Sequence, residues 1–99
     1  MKLVQFDFPF QGPFGPEMAG AMEGLAQSIN EEPGFLWKIW TENADTGAAG
    51  GIYAFADAAS AEAYIRKHSA RLAEFGIDGI RARVFDVNPT LTEINKGPV

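Results

Sequence analysis

Hydrophobic residues recur along this chain first at the period of a strand, then of a helix, two strands, a helix and a strand, and few folds tolerate that order. Residues 3–8 alternate, with Val4, Phe6 and Phe8 on one side and Leu3, Gln5 and Asp7 on the other. A loop rich in Gly and Pro follows, and Gly15 before Pro16 and Glu17 reads as an N-cap, a first-turn proline and an acid at the positive helix end. Met18, Met22, Leu25, Ala26 and Ile29 then recur at helical spacing until Pro33 and Gly34 stop the helix. Residues 35–42 and 50–56 read as strands joined by the turn-rich run 43–47, a hairpin. Gly50 and Gly51 open the second of these strands, where glycine marks a bulge or a close backbone approach. Asp57 offers an N-cap for a helix whose Ala61, Tyr64, Ile65, His68, Leu72 and Phe75 form an apolar stripe, ended by Gly76. Residues 80–87 alternate again.

This is the order of a split βαβ unit, so the predicted class is α+β: a ferredoxin-like βαββαβ protomer with both helices on one face of an antiparallel sheet. Residues 1–99 form one domain, with 88–99 as a docking tail. Asn88 and Pro89 open a short tail helix there, Thr90 and Glu93 have capping-box spacing, and Leu91 and Ile94 give it something to bury. Strict alternation assigns Val4, Phe6, Phe8, Trp37, Ile39, Ala54 and Val84 to the helix-facing side. It puts Lys38, Trp40, Tyr53, Phe55, Arg83 and Phe85 on the other, so the two tryptophans cannot share one cavity wall. A sheet face that mixes large aromatics with charges suits a symmetric contact, and these six residues are the expected interface of a homodimer.

Composition narrows the function. A formal charge of −5 does not track a phosphate backbone, so nucleic acid is not an expected partner. The absence of cysteine removes disulfides, thiolate catalysis and thiolate metal sites, and a single histidine leaves a metal only carboxylate-based or intersubunit sites. The start MKLVQFDFPF breaks at Asp7, Pro9 and Gln11 and reads as neither a signal peptide nor a membrane span; a cytoplasmic location is expected.

The segments GPFG, SINEEPGFLWKIWTE, AGGIY, KHSARL and VFDVN, in this order, resemble the YdhR-type monooxygenases of the dimeric α+β barrel superfamily. The resemblance runs from the first strand to the tail. It implies a ferredoxin-like protomer whose sheet packs on a partner's sheet, and an enzyme that oxidises a small aromatic, phenolic or quinol-like compound without metal or flavin. An ionised, electron-rich phenol can itself give electrons to dioxygen, leaving the protein to supply a dry pocket, orientation and a proton acceptor.

His68 is the expected catalytic base, since an imidazole can take a phenolic proton near neutral pH. Trp37, Phe6, Phe8, Met22 and Tyr64 are the expected walls for a small aromatic ligand. No metal and no cofactor are expected. Two other functions fit the same residues: a non-catalytic small-molecule-binding or interaction module, and a haem-binding oxygenase in which His68 holds the iron.

Overall fold

The computed structural model describes all 99 residues. β1 (Lys2–Pro9), α1 (Gly15–Ile29), β2 (Phe35–Asn43), β3 (Ala48–Phe55), α2 (Ala58–Glu74) and β4 (Arg81–Asp86) follow in the predicted order, and a short α3 (Pro89–Ile94) ends the chain. The four strands form one antiparallel sheet in the order β2-β3-β1-β4, so the two strands of the hairpin lie on one side of β1 and β4 on the other. This is the ferredoxin-like α+β architecture.

Local chemistry fixes the element ends. Asp57 caps α2 by accepting from the Ser60 N–H at 2.8 Å. Asn88 caps α3 by accepting from the Leu91 N–H at 3.1 Å, which leaves Thr90 inside the helix and not at its cap. The first N–H of α1, that of Gly15, is held by both carboxylate oxygens of Glu42 at 3.1 Å, so β2 pins the start of the helix and Phe14, not Gly15, is its N-cap. Asn43 closes the hairpin by accepting from the Asp45 and Thr46 N–H groups, and Gly47 takes a φ of 69° beyond it.

Residues directly opposite on antiparallel strands share a face, and the register shows which face is which. Val4 pairs with Tyr53, Phe6 with Gly51 and Phe8 with Ala49, while Lys38 pairs with Tyr53 and Trp40 with Gly51. The helix-facing side therefore carries Val4, Phe6, Phe8, Ala49, Tyr53 and Phe55, all buried, together with Lys38, Trp40 and Glu42. Strict alternation had inverted β2 and β3. In β2 the pairing shifts between Phe35, opposite Phe55, and Trp37, opposite Ala54, and this irregularity reverses the side-chain phase after Leu36. In β3 the pairing with β1 settles the phase: Tyr53 and Phe55 are core residues, 1 % and 0 % exposed. Lys38, Trp40, Tyr53 and Phe55 are accordingly not on the open sheet face. Trp37, Ile39 and Ala54 are. For β1 and β4 the predicted faces hold, with Val84 opposite Val4 and with Arg83 and Phe85 on the open side.

The core under the helices is an aromatic cluster. Phe6 meets Tyr53, Tyr64 and His68 edge-on at 5.7, 6.2 and 5.2 Å, and Tyr64 stacks on His68 at 5.0 Å. Full burial of each large side chain stabilises by roughly 1.5–3 kcal/mol, and each such ring pair by about 0.5–1.5 kcal/mol more. The tail does not dock within the chain: Leu91 and Ile94 are 60 % and 69 % exposed.

Candidate active site

A cavity of about 140 Å³ lies between the sheet and the two long helices. Its walls are Phe6 and Phe8 from β1, Phe10 beyond it, Met18, Met22 and Leu25 from α1, and Leu72 from α2. Among its lining residues the polar side chains are those of Lys38, Trp40, Tyr53 and His68. A cavity near this size accepts a benzene-sized guest. A second hollow lined by Met18, Met22, Trp40, Glu23 and Glu42 adjoins it on the side of α1, which makes Trp40 a shared wall.

The sequence-predicted walls Phe6, Phe8 and Met22 line this cavity, as does His68. Tyr64 sits behind His68, stacked on its ring, and is not a wall. Trp37 is displaced from the site by the β2 irregularity, and Trp40 takes its place.

His68 is 3 % exposed and both of its ring nitrogens are engaged. Nδ1 accepts from Arg71, from Nη2 at 2.9 Å and from Nε at 3.3 Å. A guanidinium only donates, so Nδ1 carries no proton and the neutral ring holds its hydrogen on Nε2, directed at the Tyr53 hydroxyl 3.4 Å away. Burial, with Arg71 and Lys38 adding like charge, pulls the imidazole down to about 3. His68 thus has no free nitrogen for a substrate proton and resists protonation. The same two observations, with the cavity's size, leave no place for a haem iron on His68. No three His, Cys, Asp or Glu side chains cluster to hold a metal ion anywhere in the chain.

Tyr53 Oη accepts from His68 and from the Tyr64 hydroxyl at 3.3 Å, which leaves its own hydrogen to donate into the cavity. Burial, reinforced by Tyr64, pushes the Tyr53 phenol far above its ordinary value, and burial pushes Tyr64 up to about 12. Both hydroxyls stay protonated. Arg71, His68, Tyr53 and Tyr64 form a chain that presents one fixed O–H donor.

The residue that sequence reasoning missed is Lys38. Its amine lies 3.2 Å from the centre of the Trp40 ring and 4.5 Å from that of Tyr53. The chain's ion pairs join Lys2 to Asp86, Lys67 to Glu32 and Arg81 to Asp7, so no carboxylate neutralises Lys38. Burial, with the nearby Arg71 charge, brings it down to about 7. The two ring faces act the other way, favouring the ammonium once a proton arrives. Lys38 is therefore a base able to gain and lose a proton near neutrality, at the edge of an apolar cavity and beside a fixed hydroxyl donor. The signal available in the sequence was a lysine between two tryptophans, readable only with the correct phase of β2.

Two solved structures share this fold. One, from Deinococcus radiodurans and described as a putative antibiotic biosynthesis monooxygenase, is 11 % identical, with a TM-score of 0.61 over 89 % of this chain and 93 % of that one. The other is a monooxygenase of Streptomyces coelicolor in complex with nanaomycin D, 20 % identical, with a TM-score of 0.58 over 88 % of this chain and 87 % of that one. None of the curated proteins compared with the chain matches it. The family model described as "Putative mono-oxygenase ydhR" matches residues 3–98, which bears out the resemblance read from the sequence: the chain belongs to the ydhR mono-oxygenase family.

Proposed function

We propose that this protein is a monooxygenase that oxidises a single-ring phenol, hydroquinone or enol with dioxygen, without metal, flavin or haem, and that Lys38 is its proton acceptor. The observation that carries the reading is the unpaired Lys38 amine lying over the Tyr53 ring at the edge of a mostly apolar cavity of benzene-like size. Family membership and the two structural neighbours support an oxygenase of this fold.

For a hydroquinone the reaction closes with dioxygen as the only oxidant. Lys38 takes one phenolic proton, and the resulting anion is paired with an ammonium that Trp40 and Tyr53 stabilise. The electron-rich ring then passes electrons to dioxygen, and a C–O bond forms at the adjacent ring carbon as a hydroperoxide. Cleavage of its O–O bond leaves one oxygen on the ring and releases the other as water, giving a hydroxyquinone. One hydroquinone and one dioxygen thus yield one hydroxyquinone and one water. Tyr53 donates to the oxygen where negative charge gathers, and His68 and Arg71 hold Tyr53 in place. The apolar walls exclude water, which strengthens both contacts.

The same reading takes the working unit to be a homodimer formed through the open sheet face. Ile39 and Phe85 are 51 % and 46 % exposed on that face, and no element of the chain covers them. The test of the function is oxygen consumption by metal-free, flavin-free protein with single-ring hydroquinones, together with the product's oxygen content after reaction under labelled dioxygen. One labelled oxygen per product supports the reading; no consumption above the protein-free rate sinks it.

A further inference from the structure

Lys38 is set up for a chemistry that the oxidation does not require. Its amine borders the cavity, takes part in no ion pair and lies over the Tyr53 ring. The charged or titratable groups facing it are Arg71 and His68 from α2 and Tyr53 from β3, while α1 contributes only Met18, Met22 and Leu25 to the cavity wall. Glu42 lines the adjoining hollow, and Glu23 lines both that hollow and an open one bordered by Lys38, but neither carboxylate lines the cavity or forms an ion pair with the amine. A desolvated lysine beside a second cation, with no carboxylate to hold it charged, is the arrangement that makes an amine nucleophilic toward carbonyl compounds.

We infer that the cavity is a covalent binding site for small aldehydes and ketones, which Lys38 captures as an imine. The Lys38 lone pair attacks the carbonyl carbon while the carbonyl oxygen accepts a hydrogen bond from Tyr53, giving a carbinolamine. Its C–O bond then breaks, the oxygen leaves as water with the nitrogen's proton, and a C=N bond remains. One carbonyl and one amine yield one imine and one water, with no change of oxidation state. Tyr53 is suited to assist because burial keeps it protonated across the neutral range. The cavity's size limits the carbonyl compound to about one ring.

Benzaldehyde is the probe, because it fits the cavity, carries no hydroxyl and is not a substrate for the proposed oxidation. Full-length protein is incubated anaerobically with benzaldehyde and cyanoborohydride at pH 7, and benzylated lysines are located by peptide mapping. Lys67, exposed and paired with Glu32, serves as the internal reference, while about half of Lys38 is neutral at that pH. Lys38 is expected to label on the order of a hundredfold faster than Lys67. Its labelling rate is expected to rise with a midpoint near 7. Labelling of Lys38 no faster than Lys67 in the folded wild-type protein would overturn the inference, and this readout needs no variant to fold. In Lys38→Met the fast label should vanish; its persistence on another residue would also overturn it. Because neither dioxygen nor a phenol is present, the outcome is independent of whether the protein proves to be an oxygenase.

Discussion

The Lys38 side chain crosses the sheet over Gly51, and the missing side chain of that glycine is the space its stem occupies. A methyl group at Gly51 would stand 2.7 Å from Lys38 Cε and 3.1 Å from the Tyr53 ring. Gly51→Ala should fold, since the close neighbour is the far end of a flexible chain, but it should push the amine out of the cavity. The Lys38 amine, followed by NMR of its labelled side chain, is then expected to titrate well above 7, toward the ordinary lysine value of 10.5. An unchanged midpoint would separate the lysine from its glycine. Gly50 gives the contrast: a methyl there would meet the Phe6 carbonyl oxygen at 2.0 Å, a backbone atom of the paired strand. Gly50→Ala should destabilise the whole domain by roughly 3 kcal/mol or more, measured by denaturant titration.

The sole histidine makes its own protonation easy to follow. His68 should show a single set of ring signals in the Nε2–H form and no titration between pH 5 and 8, because burial and Arg71 hold it near 3. Its folded value lies below its unfolded value of 6.5, so the unfolded chain binds the extra proton between those two values. Stability should fall as pH drops from 6.5 toward 3. A histidine that titrates normally near 6.5 would mean that its ring is not held as described.

Element order, the hairpin, the Asp57 cap and the faces of β1 and β4 were legible in the sequence because each rests on a local signal. The phase of β2 was not. A pairing shift after Phe35 leaves no mark in a run where both parities carry a large aromatic residue, so alternation exchanged Trp37 for Trp40 and sent Lys38 to the open face. In β3, Tyr53 and Phe55 were misplaced because rings with a polar edge or a charged neighbour read equally well as interface or core. Only pairing across to Val4 and Lys2 decides it. His68 was legible as a residue under the sheet, but the partners of its ring were not. The guanidinium that occupies Nδ1 comes from Arg71, one turn along α2, and rotamer choice there cannot be read from spacing.

Lys38 should tie stability to pH in the opposite part of the range. Its folded value of about 7 lies below its ordinary 10.5, so between those values the unfolded chain holds a proton that the folded chain has released. Wild-type stability should therefore rise from pH 7 toward pH 10, relative to Lys38→Met, in matched thermal melts. Parallel curves for the two proteins would show that the amine is not buried as described.

The open and covered sheet faces make different predictions for charge insertion. Ile39→Asp or Phe85→Asp should leave a folded chain and turn a dimer into a monomer in light scattering, because both positions are exposed on the open face. Phe55→Asp should unfold the protein instead, since that ring is 0 % exposed and packs on Phe35, Tyr53 and Tyr64. A folded monomer from Phe55→Asp would return Phe55 to the interface.

Lys38 is the group proposed to take the substrate's proton, and the direct measurement is the pH dependence of oxygen consumption by wild-type protein and Lys38→Met with a single-ring hydroquinone. The wild-type rate should climb from acid pH and level off above about 7, as the amine loses its own proton and becomes able to accept another. Lys38→Met should be slower by roughly a hundredfold or more and should lack that inflection. Equal rates and a shared pH profile for the two proteins would contradict the assignment of Lys38 as the proton acceptor.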